Sequence, residues 1–173
     1  MSSSHMTDIF HKIVFELTPD EDDYPPVSAE SLWGIYQKEN TYIIDNTPYY
    51  IYGVSKGDSV YVKPDGKELI ATQVLRQGGH STIRVYANTP ESKSAIIDKL
   101  QQFGASCLSN KELSLFSVDI PETCDFAAID NYLSSLSDGE NIAYEDACLQ
   151  HPGLSPSRLE ECLSLATIPF MTH

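Results

Sequence analysis

The chain has 173 residues, and its 25 Asp and Glu side chains against 11 Lys and Arg give a formal net charge of −14. Its hydrophobic fraction of 41% is too high for a disordered acidic chain, and its length suits one domain or two halves that share a core. A charge of this sign excludes the positive field that phosphates of nucleic acid or anionic lipid require. Without a run of about 18 apolar residues, the sequence predicts no membrane-spanning helix.

The first half consists of short segments rich in β-branched and aromatic side chains, which favour strands. They cover residues 13–17, 30–37, 41–45, 49–54, 59–63 and 69–76. The turn Pro64-Asp65-Gly66-Lys67 marks a hairpin between the last two. Many short strands at this spacing are typical of a small barrel. We therefore predict an antiparallel β-barrel-like sheet over residues 7–79.

After Gly78-Gly79 the pattern changes to strands that alternate with two amphipathic helices. The first helix follows the cap Thr89-Pro90, and the second begins near Phe126. The order β-α-β-β-α-β predicts a ferredoxin-like unit over residues 80–150, packed with the barrel as one unit. The complete prediction is an α+β fold in which residues 151–173 form a tail with a short helix after Ser155-Pro156.

The two ends and the cysteines carry further expectations. Residues 1–6 have the composition of a cloning scar, because a Ser and His stretch ends there in a second methionine. No basic and apolar leader follows, which favours a cytoplasmic location. The four cysteines contain no C-x-x-C pair, so we expect free thiols and neither a metal site nor another cofactor.

The acidic residues are concentrated in the last third of the chain. Residues 112–173 contain eleven acids against Arg158 as the one base, which gives 1 − 11 = −10. Such an asymmetry is typical of a surface that meets a basic partner, and tyrosines strengthen protein interfaces. The predicted partner-binding residues are Glu122, Asp125, Asp130, Tyr132, Asp138, Glu140, Tyr144, Glu145 and Asp146.

A second candidate site lies near the boundary between the two halves. Arg76 and Arg84 flank the Gly78-Gly79 turn, and His80 follows it directly. These three residues predict a ligand pocket between the halves, since two arginines can hold an anion. His80 is also a candidate general base, with Glu30, Asp45 or Asp58 as its carboxylate partner. No nucleophile elbow surrounds Ser81, so the sequence assigns no catalytic residue.

Four spaced motifs resemble those of a bacterial family of domains of unknown function. They are Glu30-Ser-Leu-Trp33, Asp45-Asn-Thr-Pro-Tyr49, Gly57-Asp58 and Gly79-His-Ser-Thr-Ile-Arg84. The resemblance extends over about residues 11–150 and implies that the barrel and the ferredoxin-like half occur together. The family name carries no activity, so the resemblance implies no site residues.

Three functions remain open on the sequence alone. The first is an immunity protein that binds and blocks a basic, nuclease-type bacterial toxin, because an acidic partner is steered into a basic cleft. The alternative is a small-molecule-sensing or regulatory module that uses the pocket between the halves. The third is an enzyme without a recognisable motif. The oligomeric state is left open.

Overall fold

The computed structural model describes residues 10–171, which form the predicted α+β fold. The prediction of a cloning scar at residues 1–6 concerns a segment outside the described residues. Nine strands and three helices occur within that range. The strands are β1 (Phe10–Glu16), β2 (Ala29–Lys38), β3 (Thr41–Ile44), β4 (Ser59–Asp65), β5 (Glu68–Arg76), β6 (Ser81–Ala87), β7 (Ser106–Leu108), β8 (Leu115–Ile120) and β9 (Ile142–Cys148). The helices are α1 (Pro90–Gln102), α2 (Phe126–Leu136) and α3 (Pro156–Leu163).

Strands β1 to β5 close into a barrel, as the sequence predicted. Each strand pairs with the next in antiparallel fashion, and β1 closes the barrel by pairing with β5 in parallel. Alternate side chains point inward, so Ile13, Phe15, Ile44 and Val60 are fully buried in the barrel core. Gly34 is required on β2 because a Cβ there would lie 2.6 Å from the Ile13 side chain.

The prediction of a strand at residues 49–54 is wrong. These residues belong to an irregular segment between β3 and β4, and we call residues 45–58 the strap. The carboxylate of Glu30 accepts hydrogen bonds from the backbone N–H groups of Tyr49, Tyr50 and Ile51 at 2.7, 2.7 and 3.2 Å. A side chain on β2 therefore satisfies donors that a neighbouring strand would otherwise satisfy.

The second half is a four-stranded antiparallel sheet in the order β7-β8-β6-β9, which is the predicted ferredoxin-like arrangement. The hydroxyl of Thr89 caps α1 by accepting from Ser92 N, and the carboxylate of Asp125 caps α2 by accepting from Ala128 N. Both helices contribute to one core with the sheet. Its fully buried members include Leu100, Phe116 and Ile129.

The other face of this sheet carries polar side chains and packs against the strap. Thr82 on β6 exchanges a 2.6 Å hydrogen bond with Ser55, and the hydroxyl of Ser117 on β8 donates to the Pro48 carbonyl at 2.6 Å. All four of these residues are buried, and Pro48 forms its bond through the backbone carbonyl. The strap thus joins the barrel to the sheet through satisfied polar contacts.

The tail after α3 returns to the barrel. The amide of Thr167 donates to Tyr52 O at 2.9 Å, and Val74 on β5 donates to Pro169 O at the same distance. Ile168 is 8% exposed and belongs to the barrel core. Residues at the end of the described chain therefore help to stabilise the first half.

Candidate functional site

Tyrosines of the strap and of the loop after β1 form an edge-to-face cluster at one end of the barrel. The ring centroids of Tyr24 and Tyr50 lie 5.9 Å apart, and those of Tyr49 and Tyr50 lie 4.8 Å apart, with interplanar angles of 76° and 83°. This geometry places the positive edge of one ring on the negative face of the next. The cluster is therefore held in one arrangement by ring contacts as well as by the backbone.

Two tyrosines of this cluster, Tyr24 and Tyr50, line a groove of about 370 Å³ between the barrel and the tail, together with Tyr52 of the strap. We call it the tyrosine groove, and its defining residues are Glu16, Asp20, Tyr24, Tyr50, Tyr52 and Leu165. The two carboxylates are exposed at its rim. Leu165, which is 54% exposed, supplies an apolar wall from the tail.

Local hydrogen bonds position each tyrosine of the groove. Asp20 Oδ1 accepts from the amides of Asp22 and Tyr24 at 2.8 and 3.1 Å, which fixes the turn that carries Tyr24. Glu30 holds the amide of Tyr50, as described above. The amide of Tyr52 donates to the hydroxyl of Thr167 at 2.9 Å, so the tail holds the third tyrosine. The groove is thus assembled from parts of the chain that are distant in sequence.

Tyr24, Tyr49 and Tyr52 stay neutral at physiological pH. Burial raises the pKa of Tyr24, and it raises the pKa of Tyr49 to about 12. Burial, together with a 2.5 Å hydrogen bond from the Tyr52 hydroxyl to Glu145 Oε2, raises the pKa of Tyr52 well above its usual range. Neutral rings beside carboxylates offer electron-rich faces and acceptor oxygens, which is an arrangement that attracts cations.

Arg84 lies completely buried beneath Tyr52. Its Cζ is 4.7 Å from the centroid of the Tyr52 ring, and its Nη2 donates to the carbonyl of Ile51. Its Nη1 is 3.9 Å from Glu145 Oε2, while Nε and Nη1 have no hydrogen-bond partner among the described residues. A buried guanidinium in this position cannot lie at the mouth of an open pocket.

The structure does not gather Arg76, His80 and Arg84 around one cavity. Arg76 is exposed at the end of β5, and His80 Nδ1 donates to the buried Asp119 at 2.8 Å. None of the three lines the tyrosine groove. The His80 side chain is 25% exposed, and among the described residues neither member of this pair forms a side-chain hydrogen bond to a Ser, Thr or Cys side chain.

The other residues considered for catalysis have structural partners. Asp58 is fully buried and accepts hydrogen bonds from Ser55 N, Gly78 N and Gln150 Nε2. Burial raises its pKa to about 6, against the opposing effect of these bonds. Ser81 donates to Nδ1 of His151 at 2.6 Å inside the same region, where both side chains are buried. Asp58 connects the two halves through Gln150, Ser81 connects the second half to the tail, and the buried groups are closed to a substrate.

The predicted partner-binding residues occupy different surroundings. Asp130 and Asp146 are both held in a bidentate manner by Arg158, at 2.8 to 3.1 Å. Asp138 accepts from three backbone amides of its own loop. Tyr144 donates to Asp130, Tyr132 packs on Phe103, and Asp125 caps α2. Glu122 and Glu140 are exposed at opposite ends of α2, and Glu145 reaches the Tyr52 hydroxyl.

Sequence reasoning did not identify the tyrosine groove. It found the density of tyrosines in the strap and the four consecutive acids of the loop after β1, but it placed neither beside the tail. Only Glu145 of the predicted partner-binding residues lies beside the groove. The sequence signal for the groove was limited to the acids Glu16 and Asp20 near Tyr24. No sequence spacing relates these residues to Leu165.

Within residues 10–171, no cluster of three or more His, Cys, Asp and Glu side chains is arranged to hold a metal ion. Cys107, Cys124, Cys148 and Cys162 are free thiols. No helix in the same range has the length and apolarity to cross a membrane.

The model of the family named domain of unknown function DUF4265 matches residues 30–144. The match spans more than half of the 173 residues, and the chain belongs to this family. A crystal structure of a hypothetical protein from Neisseria gonorrhoeae is similar, with a TM-score of 0.64 and 19% identity, over 84% of this chain and 96% of that one. At this identity the likeness concerns the fold alone. No curated protein matches the chain.

Proposed function

We propose that the chain acts by binding a basic protein partner, and that the tyrosine groove is the docking site. The observation that carries this proposal is the meeting of exposed carboxylates and tyrosine rings in one concave surface. The carboxylates of Glu16 and Asp20 stand at its rim, and Glu145 is bonded to Tyr52 at its edge. An acidic chain with such a groove favours a partner of opposite charge.

The two kinds of side chain contribute in different ways. The net charge of −14 steers a basic protein toward the chain and raises the association rate, an effect that salt weakens. The tyrosines supply apolar contact area together with hydroxyl groups, and such residues are enriched among those that dominate binding energy. Charge therefore sets the approach, and the groove sets the contact.

The specific partner that we propose is a nuclease-type bacterial toxin, which makes the chain a cytoplasmic immunity protein. A nuclease needs a basic cleft to bind phosphates. An acidic protein that occupies this cleft excludes the substrate by competing for the same positive charge. The support is the charge of the chain and the chemistry of the groove.

The proposed contact surface is the tyrosine groove, whereas most of the partner-binding residues predicted from the sequence lie on or around α2. Arg158 already neutralises Asp130 and Asp146, so these two carboxylates have less charge to offer a partner. Glu145 stays in the proposed contact because 44% of its side chain is exposed beside Tyr52. The sensor and enzyme alternatives receive no comparable support from residues 10–171.

The test compares two triple variants that change the net charge equally. The groove variant carries Glu16→Gln, Asp20→Asn and Glu145→Gln, which keep the oxygen acceptors that position Tyr24 and Tyr52. The matched control carries Glu39→Gln, Asp65→Asn and Glu68→Gln, at exposed positions outside the groove. Each tagged protein is used for affinity capture from lysate of the source organism, and the captured protein is assayed for nuclease activity.

We expect wild type and control to retain a basic protein that cleaves nucleic acid and is inhibited at a one-to-one ratio. The groove variant should lose both capture and inhibition. Equal capture by the groove and control variants would reject the groove as the docking site. A captured partner without nuclease activity would reject the toxin part of the proposal.

A further inference from the structure

This inference rests on the proposed function and names the chemical anchor of the partner. We infer that the tyrosine groove receives an arginine side chain of the partner, with its guanidinium against the rings of Tyr24 and Tyr50 and near the carboxylates of Glu16 and Asp20. A lysine would meet the same charges, but it lacks the planar group that stacks on a ring. The distinction can be measured.

The chain holds its own arginines in the same way at two places. The guanidinium of Arg158 is bidentate to two aspartates, and its Cζ lies 5.5 Å from the centroid of the Phe126 ring. The guanidinium of Arg84 lies over Tyr52, with Glu145 at 3.9 Å. In both cases an aromatic ring covers the flat face of the guanidinium, and a carboxylate lies toward its N–H groups. The tyrosine groove offers the same two components on an open surface.

The rim carboxylates of the groove have unused acceptor oxygens. Asp20 Oδ1 accepts from two amides, but Asp20 Oδ2 accepts no hydrogen bond from the described residues. Glu16 is exposed at the end of β1 and has no ion pair in that part of the chain. Because the charge of Glu145 is shared between Arg84 and the Tyr52 hydroxyl, the attraction for an external cation comes mainly from Glu16 and Asp20.

The size of the groove suits a side chain. Its volume of about 370 Å³ lies at the lower end of the range for small-molecule pockets. A whole helix, about 10 Å across with its side chains, is too wide for such a site. Leu165 contacts the aliphatic part of a long side chain from the tail wall, where it is 54% exposed.

The experiment uses two peptides, hexa-arginine and hexalysine, titrated into the full chain by isothermal calorimetry at low salt. The groove variants are Glu16→Gln with Asp20→Asn, Tyr50→Leu, and Tyr24→Leu as a second ring variant in case the first disturbs the strap. The controls are Glu39→Gln with Asp65→Asn, and Tyr36→Leu, which removes a ring that is 46% exposed outside the groove. Thermal unfolding confirms that each variant is folded.

We expect hexa-arginine to bind the wild type about fivefold more tightly than hexalysine, because the planar guanidinium stacks on a ring in addition to the cation–π attraction that both cations share. Either ring variant should abolish this preference, and the carboxylate variant should weaken both peptides. The controls should behave as the wild type. Equal binding of the two peptides, or a preference that survives both ring variants, would overturn the inference and leave the proposed function standing. Binding of neither peptide would also overturn it, whereas the proposed function is decided separately by capture and inhibition.

Discussion

Replacing Glu30 with glutamine should loosen the strap, which carries Tyr49, Tyr50 and Tyr52. The carboxylate of Glu30 accepts from Tyr49 N, Tyr50 N and Ile51 N, and both of its oxygens are used. A glutamine offers one oxygen and one amino group, so at least one backbone N–H then faces another donor. The partly buried amide is left without an acceptor, and water reaches it only if the strap moves.

The cost follows from the kind of bond that is lost. A hydrogen bond to a charged group contributes about 1.5–3 kcal/mol, and an unsatisfied buried donor costs a similar amount. We expect Glu30→Gln to lower the free energy of unfolding by about 2 kcal/mol. For a chain of this size, that corresponds to a fall in Tm of about 4–8 °C.

Differential scanning calorimetry of wild type, Glu30→Gln and Glu68→Gln measures this effect. Glu68 is exposed at the start of β5, so its substitution should change Tm by no more than about 2 °C. The same Glu30 variant should weaken hexa-arginine binding, because Tyr50 depends on this contact. A Tm for Glu30→Gln within the range of the Glu68 control would refute the role assigned to the carboxylate.

Three further predictions concern stability, each measured by urea unfolding. Burial raises the pKa of Asp58 from 3.8 to about 6, so the folded state binds this proton more tightly than the unfolded state does. The free energy of unfolding should therefore fall by at most about 3 kcal/mol as pH rises from 4 to 6. The difference in this free energy between wild type and Asp58→Asn should carry the pH dependence. A stability difference between wild type and Asp58→Asn that does not vary with pH would contradict this prediction. Ile168→Ala should cost about 2–5 kcal/mol because the side chain is buried in the barrel core, whereas Phe170→Ala, at 43% exposure, should cost much less. A cost for Ile168→Ala as small as that expected for Phe170→Ala would mean that Ile168 does not stabilise the barrel. Arg158→Ala should cost about 1–3 kcal/mol at pH 7. Arg158 lowers the pKa of Asp130 in the folded state. The cost should therefore disappear as pH falls below about 4, because the Asp130 carboxyl is protonated first in the unfolded state and then in the folded state. A cost that is unchanged at about pH 2.5 would refute the ion-pair explanation.

Local signals predicted the second half of the chain well. Helix α1 begins at Pro90 behind the cap Thr89, and α2 begins at Phe126, where apolar spacing and capping agree. The ferredoxin-like order follows because each helix is flanked by strands within a few residues. Such features depend on neighbours in sequence, which periodicity and capping can detect.

The strap shows why strand propensity alone was insufficient. Residues 49–54 have the aromatic and β-branched composition of a strand, yet their amides bond to the Glu30 side chain and to the tail. Composition does not distinguish an acceptor on a neighbouring strand from one on a carboxylate 19 to 21 residues away. Tertiary contacts therefore decided the structure of this segment.

The tyrosine groove could not be predicted because its parts are brought together only by the fold. Asp20 and Tyr24 come from the loop after β1, Tyr50 and Tyr52 from the strap, and Leu165 from the tail. The burial of Arg84 was also hidden from the sequence, since an arginine on a strand usually reaches water. The acids that the sequence emphasised are partly used by the chain itself, above all through Arg158.

Hydrogen–deuterium exchange shows whether a basic partner covers the tyrosine groove, because buried backbone amides exchange more slowly. The backbone amides of the chain are compared with and without the captured basic partner at low salt. We predict slower exchange in residues 16–25, 49–53 and 165–168, and little change in residues 122–141. Protection confined to residues 122–141, or absent from the three groove segments, would show that the partner binds elsewhere.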